Sequence, residues 1–398
     1  MQRVFDRLMQ PPHPIGIDLG ATGAKLLQLS RSGGGFRVLA MDRVDISSSE
    51  DTPPTDDARL DTLIRSVARR VAAGRFTGGR CVVSIDDRLL RTRSVRQPRM
   101  PDAETDRAVR LDAPQRLGFP EDASCEIGWI RAGEVMPADE VKDEVLYFGA
   151  ESEPLRHLAY GLAQNGLRPL AIEPGFVALA RCFGRTLRRA SDRSVVRVLV
   201  DVGCFSTKVV LTRGSEVAFY RHLEMGGAAM TQLAAERLGL TPETVDDLRR
   251  QRMSREAGGS CDVDPKVDRA LYDAVRPLLG DIAHEINLCL RHYSVTFRGS
   301  RPSECLVVGG EALEPRLPEA VRKALNLKTR LGDPLEGIER SAGRDSDART
   351  APEWGVATGL SLQPLDRRGK SARPAARRHI DATSSSGSES DRSARRAA

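Results

Sequence analysis

The sequence predicts an α/β fold of two duplicated halves around a shared cleft, with a small α+β subdomain inserted into the first half. Three observations predict it. Residues 15–29 and 198–211 each read as strand, Asp-x-Gly, small or hydroxyl residues, Lys, strand, and lie about 180 residues apart. A third stretch, 306–312, is an apolar strand running into Gly309-Gly310 about 100 residues later. Between these devices, residues 90–166 change character, with dense charge and frequent Pro and Gly.

Taken in order, residues 1–12 carry Val4, Phe5, Leu8 and Met9 at helical spacing and are expected to form a short helix that Pro11, Pro12 and Pro14 stop. It would fold onto the body or fray; docking to a membrane surface or a partner is the alternative. The first half is expected over 13–90: the hairpin with a turn at 31–35, a third strand at 36–45, a polar loop at 47–57, an amphipathic helix at 60–73 and a strand at 80–86. The inserted subdomain is expected over 91–166. It contains a polar helix at 102–117 interrupted at Pro114, strands at 126–132 and 144–149, and a helix at 153–165 ended by Gly166. Residues 167–192 close the first half with a strand at 170–173, a helix at 175–188 and a basic linker.

The second half is expected over 193–335. Its hairpin is followed by a strand at 216–223 and a helix at 228–238 ended by Gly239. Thr241 and Pro242 then supply the N-cap and first position of another helix. A flexible loop at 255–265, a long helix at 267–297, a strand at 304–308 and a helix at 318–325 complete it. Residues 336–365 read as a loop and a closing helix, and 366–398 as a disordered Ser/Arg/Ala-rich tail.

Bulk composition narrows the function. Hydrophobic residues make up 40% and charged residues 29%, as in ordinary water-soluble proteins. The net charge is +6, but residues 366–398 hold nine Lys/Arg against four Asp/Glu, so the rest is nearly neutral. With aromatics at only 4%, neither a basic footprint nor a base-stacking platform is indicated, and no nucleic-acid partner is expected. The seven Cys form no C-x-x-C pair and the six His no ligand spacing. Buried thiols in a reducing compartment are expected. No apolar run of about 18 residues or secretory leader is visible, which points to the cytoplasm.

The chemistry converges on the three devices. Glycine at a hairpin tip lets backbone N–H groups approach an anion. Two such tips facing each other would clamp a polyphosphate, with Asp18 and Asp201 holding its metal through water. Glycines at 309–310 let a purine or ribose lie against backbone.

At these residues the sequence resembles the actin-like ATPase superfamily and, within it, the PilM family of type IV pilus assembly, relatives of the division protein FtsA. The resemblance covers about 13–364. Gly16-Ile17-Asp18-Leu19-Gly20 with Lys25 is similar to the first phosphate motif, Asp201-Val202-Gly203 with Ser206 and Thr207 to the second, and Val308-Gly309-Gly310 to the adenosine motif. Ala171-Ile172-Glu173-Pro174 resembles the segment linking the halves. Arg99-Met100-Pro101, Gly118-Phe119-Pro120 and Gly166-Leu167-Arg168-Pro169 resemble the family's insertion and its return. Glu224-Met225-Gly226-Gly227 resembles a turn into a helix, and Trp354 to Leu360 the closing helix.

The resemblance implies an actin-like fold that binds ATP and Mg²⁺. Asp18 and Asp201 would hold the metal, Lys25 would neutralise β- or γ-phosphate charge, and Gly20, Thr22, Gly203, Ser206 and Thr207 would line the phosphates. Asp246 and Arg249 lie where ribose and adenine contacts fall, the alternative being an exposed charged face. Glu173 would orient an attacking water, the alternative being a plain loop carboxylate. Ala21, Cys204-Phe205 and Glu311 depart from the pattern and argue for slow or absent turnover. The implied role is an ATP-binding scaffold of a type IV pilus-like or type II secretion-like inner-membrane platform. Its partner would be the N-terminal cytoplasmic peptide of a PilN-like membrane protein, held between the insertion and the first half. The chain would then be peripheral to the membrane through that partner, with self-association left open. The competing readings are a small-molecule kinase of the same superfold and an FtsA-like membrane-associated filament former.

Overall fold

Ile15, Ile17, Leu26, Leu27 and Leu29 are all fully buried, so the first hairpin sits inside a sheet covered on both faces. The computed structural model describes residues 12–46, 56–136, 140–259, 263–297, 300–340 and 352–363. The expected N-terminal helix, most of the polar loop at 47–57, part of the loop at 255–265 and the basic tail lie outside them.

The first half runs β1 (Ile15–Gly20), β2 (Gly23–Ser32), β3 (Gly35–Asp45), α1 (Asp56–Arg70) and β4 (Arg80–Ile85). The insertion follows as β5 (Arg91–Pro98), α2 (Asp102–Arg116), β6 (Cys125–Val135) and β7 (Lys142–Glu151). The chain returns through α3 (Ser152–Gln164), β8 (Arg168–Pro174) and α4 (Gly175–Gly184). The second half is β9 (Val196–Val202), β10 (Thr207–Arg213), β11 (Glu216–Leu223), α5 (Gly227–Leu238), α6 (Pro242–Glu256), α7 (Pro265–Phe297), β12 (Glu304–Val308), α8 (Leu317–Leu325) and β13 (Thr329–Leu331). Then β14 (Ile338–Glu339) and α9 (Gly355–Ser361) go back to the first half.

The duplication is plain in the sheets. The first is ordered β14-β3-β2-β1-β4-β8 and the second β11-β10-β9-β12-β13. Each has an antiparallel three-strand meander whose first strand also pairs in parallel with the next strand inward. This parallel pairing puts the C-terminal ends of β1, β4, β9 and β12 at the mouth between the halves, where ligands of α/β sheets collect.

The insertion is a three-stranded sheet, β5-β7-β6, with α2 on one face. Thr105, Val109 and Ala113, four residues apart, form the buried face of α2, against Trp129, Val145 and Tyr147. That packing carries the helix through Pro114, which does not interrupt it as expected; the proline falls in the last turn, where only one backbone bond is forfeited. The strand β5 escaped sequence reading because its four-in-nine arginine run, 91–99, hides any apolar alternation. Helix α3, expected in the insertion, packs instead on α1 and β8, with Leu158 and Leu162 in the first half's core. Helix α4 stops at Gly184, four residues before its expected end at 188.

The closing helix α9 is buried along its whole length, against α4, β1 and β2. A Cβ on Gly359 would stand 1.8 Å from the Ala178 carbonyl oxygen, and one on Gly16 2.1 Å from that of Ala357. Only glycine permits either approach. Of the six described cysteines, Cys81, Cys182, Cys289 and Cys305 are buried thiols; Cys125 and Cys204 are partly exposed. Among the described residues no helix is long and apolar enough to cross a membrane.

Candidate functional site

Cross-strand register builds the centre of the site. Asp18 lies directly opposite Lys25 in the first hairpin, and Asp201 directly opposite Lys208 in the second. Both pairs face a cleft of about 510 Å³ between the halves. Lys25 Nζ stands 3.8 Å from Asp18 Oδ2, and Lys208 Nζ 3.0 Å from Asp201 Oδ2. Ser84, at the end of β4, donates to Asp18 Oδ1 at 3.2 Å and accepts from the Leu19 N–H at 2.8 Å.

Burial in the cleft floor pushes the Asp18 carboxyl above its ordinary pKa, against the pull of Lys25 and Lys208. Burial works against the Lys208 charge too, but Asp201 and Asp87 outweigh it and hold that ammonium well above the usual lysine range. Asp87 Oδ2 is 2.7 Å from Lys208 Nζ, so one ammonium joins a carboxylate of each half.

The third wall comes from β12. Gly309 has φ +100° at the strand's end, and a Cβ there would strike Asp201 Oδ1 at 2.4 Å. Beyond it, Gly310 opens on empty space, leaving bare backbone toward the cleft. Glu311 follows, but it is not a loose negative charge: Arg249 Nη2 holds Glu311 Oε2 at 2.7 Å.

Asp18, Gly20, Thr22, Lys25, Asp201, Gly203, Ser206, Asp246, Gly309 and Gly310 therefore line one cavity, as the spacing of the three devices requires. Three expected site residues do not. Thr207 is buried and donates to the Met225 carbonyl at 2.7 Å, tying the hairpin to the turn before α5. Arg249 is fully buried beneath the β12 loop, bonded to Glu311, Glu314, Thr231 and the Gly227 carbonyl. It is neither a base contact nor part of an exposed face. Its neighbour Arg250 takes the cleft side, paired with Asp246 at 2.6 Å. Glu173 is buried and clasped by Arg181 at 2.5 and 2.9 Å, on the groove side of β8 rather than in the cleft.

Sequence reading missed Arg43, Ser84, the run Asp86-Asp87-Arg88, Lys208, Arg250 and Glu353. The hairpin symmetry carried a signal for Lys208, the counterpart of Lys25. The others lie on the third strand (Arg43), the end of β4 (Ser84), a polar turn (86–88), helix α6 (Arg250) and the approach to the closing helix (Glu353), which have no spacing signature. Phe205 stands at the cleft rim, 53% exposed, where its position at a hairpin tip placed it. Arg59 on α1 donates to the Ala21 carbonyl and fixes the first tip from behind. Among the described residues no group of three or more His, Cys, Asp or Glu is gathered as a direct metal cage.

A second, apolar groove lies between the insertion's sheet and the first half. Ile85, Leu90, Ile127, Phe148, Leu155 and Val177 line it.

Comparison with known proteins agrees with this architecture. A solved structure described as a PilM-PilN type IV pilus biogenesis complex superposes with a TM-score of 0.69 at 21% identity, covering 88% of this chain and 98% of that one. The ethanolamine utilization protein EutJ from Carboxydothermus hydrogenoformans superposes at 0.50 and 15% identity, covering 89% and 91%. Both likenesses are of fold, and the two-sheet duplication with its central cleft is the actin-like ATPase fold. Residues 16–365 match the family model of the type IV pilus assembly protein PilM, almost the whole described body. The chain belongs to the PilM family of type IV pilus assembly proteins.

Proposed function

We propose that the chain is an ATP-binding scaffold of a pilus-type inner-membrane assembly platform. It holds Mg-ATP in the cleft with slow or no hydrolysis and takes the N-terminal cytoplasmic peptide of a PilN-like membrane protein in the apolar groove. The observation that carries the nucleotide reading is the pair of Asp–Lys hairpin tips from opposite halves, facing one cavity floored by the Gly309-Gly310 backbone.

The residues fit a metal–nucleotide complex. Five cations and seven carboxylates line the cleft. A bare polyphosphate would meet net repulsion there, whereas Mg²⁺ reverses the balance and keeps most of its own waters. Asp18 and Asp201 would hold that hydrated ion, Lys25 and Lys208 would meet phosphate charge, and Gly309-Gly310 would lie against the nucleoside. Bound Mg²⁺ would supply charge neutralisation.

The pairing of the carboxylates supports slow or absent hydrolysis. Each of the seven has a cationic partner: Asp18 with Lys25, Asp86 with Arg88, Asp87 and Asp201 with Lys208, Asp246 with Arg250, Glu311 with Arg249, and Glu353 with Arg43. A general base needs a lone pair aimed at water, and these carboxylates are engaged by cations instead.

The peptide reading is supported by the apolar groove beside the insertion and by the likeness to a protein solved as a PilM-PilN complex. Calorimetry with Mg-ATP tests the first half of the proposal: wild type binds, and Asp18→Ala and Asp201→Ala abolish binding. A silent wild type refutes it. Fluorescence anisotropy with a labelled N-terminal peptide of the cognate PilN-like protein tests the second; no binding in any nucleotide state ends that claim.

A further inference from the structure

The cleft and the groove share a wall. Ile85 lines both cavities, Asp86, Asp87 and Arg88 line the cleft, and Leu90 is back in the groove. This short segment contains the 3-10 turn Asp87–Leu89, which hands β4 on to β5, the first strand of the insertion. The turn is stiff. Asp86 Oδ1 accepts from the Arg88 N–H at 3.0 Å, and the Leu90 N–H donates to the Asp87 carbonyl at 3.2 Å. Displacing one end therefore displaces the other.

At the centre of this segment Asp87 crosses to the second half, to the ammonium of Lys208. Its other oxygen, Oδ1, is buried with no hydrogen-bond partner among the described residues. Such an arrangement is costly to leave half-satisfied, so the carboxylate depends on Lys208. A second link runs alongside. Phe148 of the groove wall meets Phe176 of α4 edge-on at 5.8 Å, and Phe176 stacks at 4.2 Å on Tyr220 of β11 in the second half.

We propose that the Asp87–Lys208 pair is a latch through which a phosphate-bearing ligand in the cleft reshapes the apolar groove. The inference rests on the nucleotide reading of the cleft. A phosphate near the second hairpin competes with Asp87 for Lys208. When the ammonium turns to the ligand, Asp87 is left as a partly buried, uncompensated charge with its Oδ1 shielded from water, which is unfavourable. The turn moves to return the carboxylate to water and carries Leu90 and the start of β5 with it. By linkage, whatever occupies the groove changes nucleotide affinity by the same factor that nucleotide changes the groove.

Hydrogen exchange of the full chain, with and without saturating Mg-ATP, tests the latch. In wild type, amides of residues 85–98 exchange roughly fivefold or more faster with Mg-ATP bound. In Asp87→Asn, which has no carboxylate to strand, they do not respond to it. The same variant binds Mg-ATP roughly threefold or more tightly, because Lys208 no longer has to be won from Asp87. Asp87→Glu keeps the carboxylate and keeps the response, which separates the latch from damage to the turn. The latch is overturned if residues 85–98 of wild type ignore bound Mg-ATP, if Asp87→Asn responds as wild type does, or if that variant binds more weakly. A wild type that binds no Mg-ATP calorimetrically refutes the nucleotide reading itself, a different result from binding without coupling.

Discussion

Replacing Arg249 by Met removes the hub of the buried ion network under the cleft. The guanidinium is fully buried and bonds Glu314 at 2.8 and 3.0 Å, Glu311 at 2.7 Å, Thr231 at 3.0 Å and the Gly227 carbonyl at 3.0 Å. Removing one partner from a buried pair costs about 3–5 kcal/mol, mostly because the other charge stays buried alone. Two features of this site lower the figure. Glu314 keeps Arg252 at 3.0 Å, and the partly exposed Glu311 reaches cleft water. The lower end, about 3 kcal/mol, is expected, which at about 1–2 °C per kcal/mol for a body of this size lowers the melting midpoint by about 3–6 °C. Circular dichroism melts and urea titration measure it. Arg249→Met combined with Glu314→Leu should cost less than the sum of the single changes by about 1–3 kcal/mol, since the stranded carboxylate goes as well. A loss below about 1 kcal/mol for Arg249→Met, or strict additivity with Glu314→Leu, would show that the network is not held together by charge.

Four further outcomes are expected. Glu173→Gln, which keeps one acceptor for Arg181, costs about 2 kcal/mol of stability and leaves Mg-ATP affinity unchanged, checked by melting and calorimetry. Gly359→Ala drives a methyl into the Ala178 carbonyl and costs at least about 2 kcal/mol, whereas Gly310→Ala, whose Cβ meets nothing within 4 Å, melts like wild type but binds Mg-ATP roughly fivefold more weakly. The raised Asp18 carboxyl means that the fold holds that proton more tightly than the unfolded chain does. Its favourable contribution is complete below about pH 4 and is lost as pH rises through the folded pKa. Asp18→Asn accordingly melts higher than wild type at pH 7.5, with the gap closing on acidification, while losing Mg-ATP. Chelating the divalent ion with EDTA weakens ATP binding at least about tenfold, read by calorimetry, because the lining carries more carboxylates than cations.

The duplicated hairpins were legible because their chemistry is local: an Asp and a Lys seven residues apart across a two-strand tip must face each other, whatever the rest of the chain does. The glycine pair on β12 was legible for the same reason. What failed was direction. Arg249 and Arg250 are adjacent on one helix, and a rotation of about 100° decides which is buried with Glu314 and which meets the ligand; no sequence pattern in that strongly polar helix marks the difference. Glu173 ends a strand whose outlook depends on Arg181, one helix later. The turn at 86–88 looked like any polar connection, and its importance arises only because the insertion begins there and the second half comes within 2.7 Å of it.

The placement of α9 bears on how the molecule is made. The first half's sheet needs β14 and α9 to complete it, yet these are the last described segments of the chain. On a ribosome, the strands of residues 15–174 emerge long before their cover does, leaving β1 and β2 with an open apolar face. The second half, continuous in sequence from β9 to β13, meets no such wait. It should therefore be the first complete folding unit, with the first half closing onto it last. Stalled nascent chains released before and after residue 355 should differ sharply in protease resistance of the first half and little in that of the second.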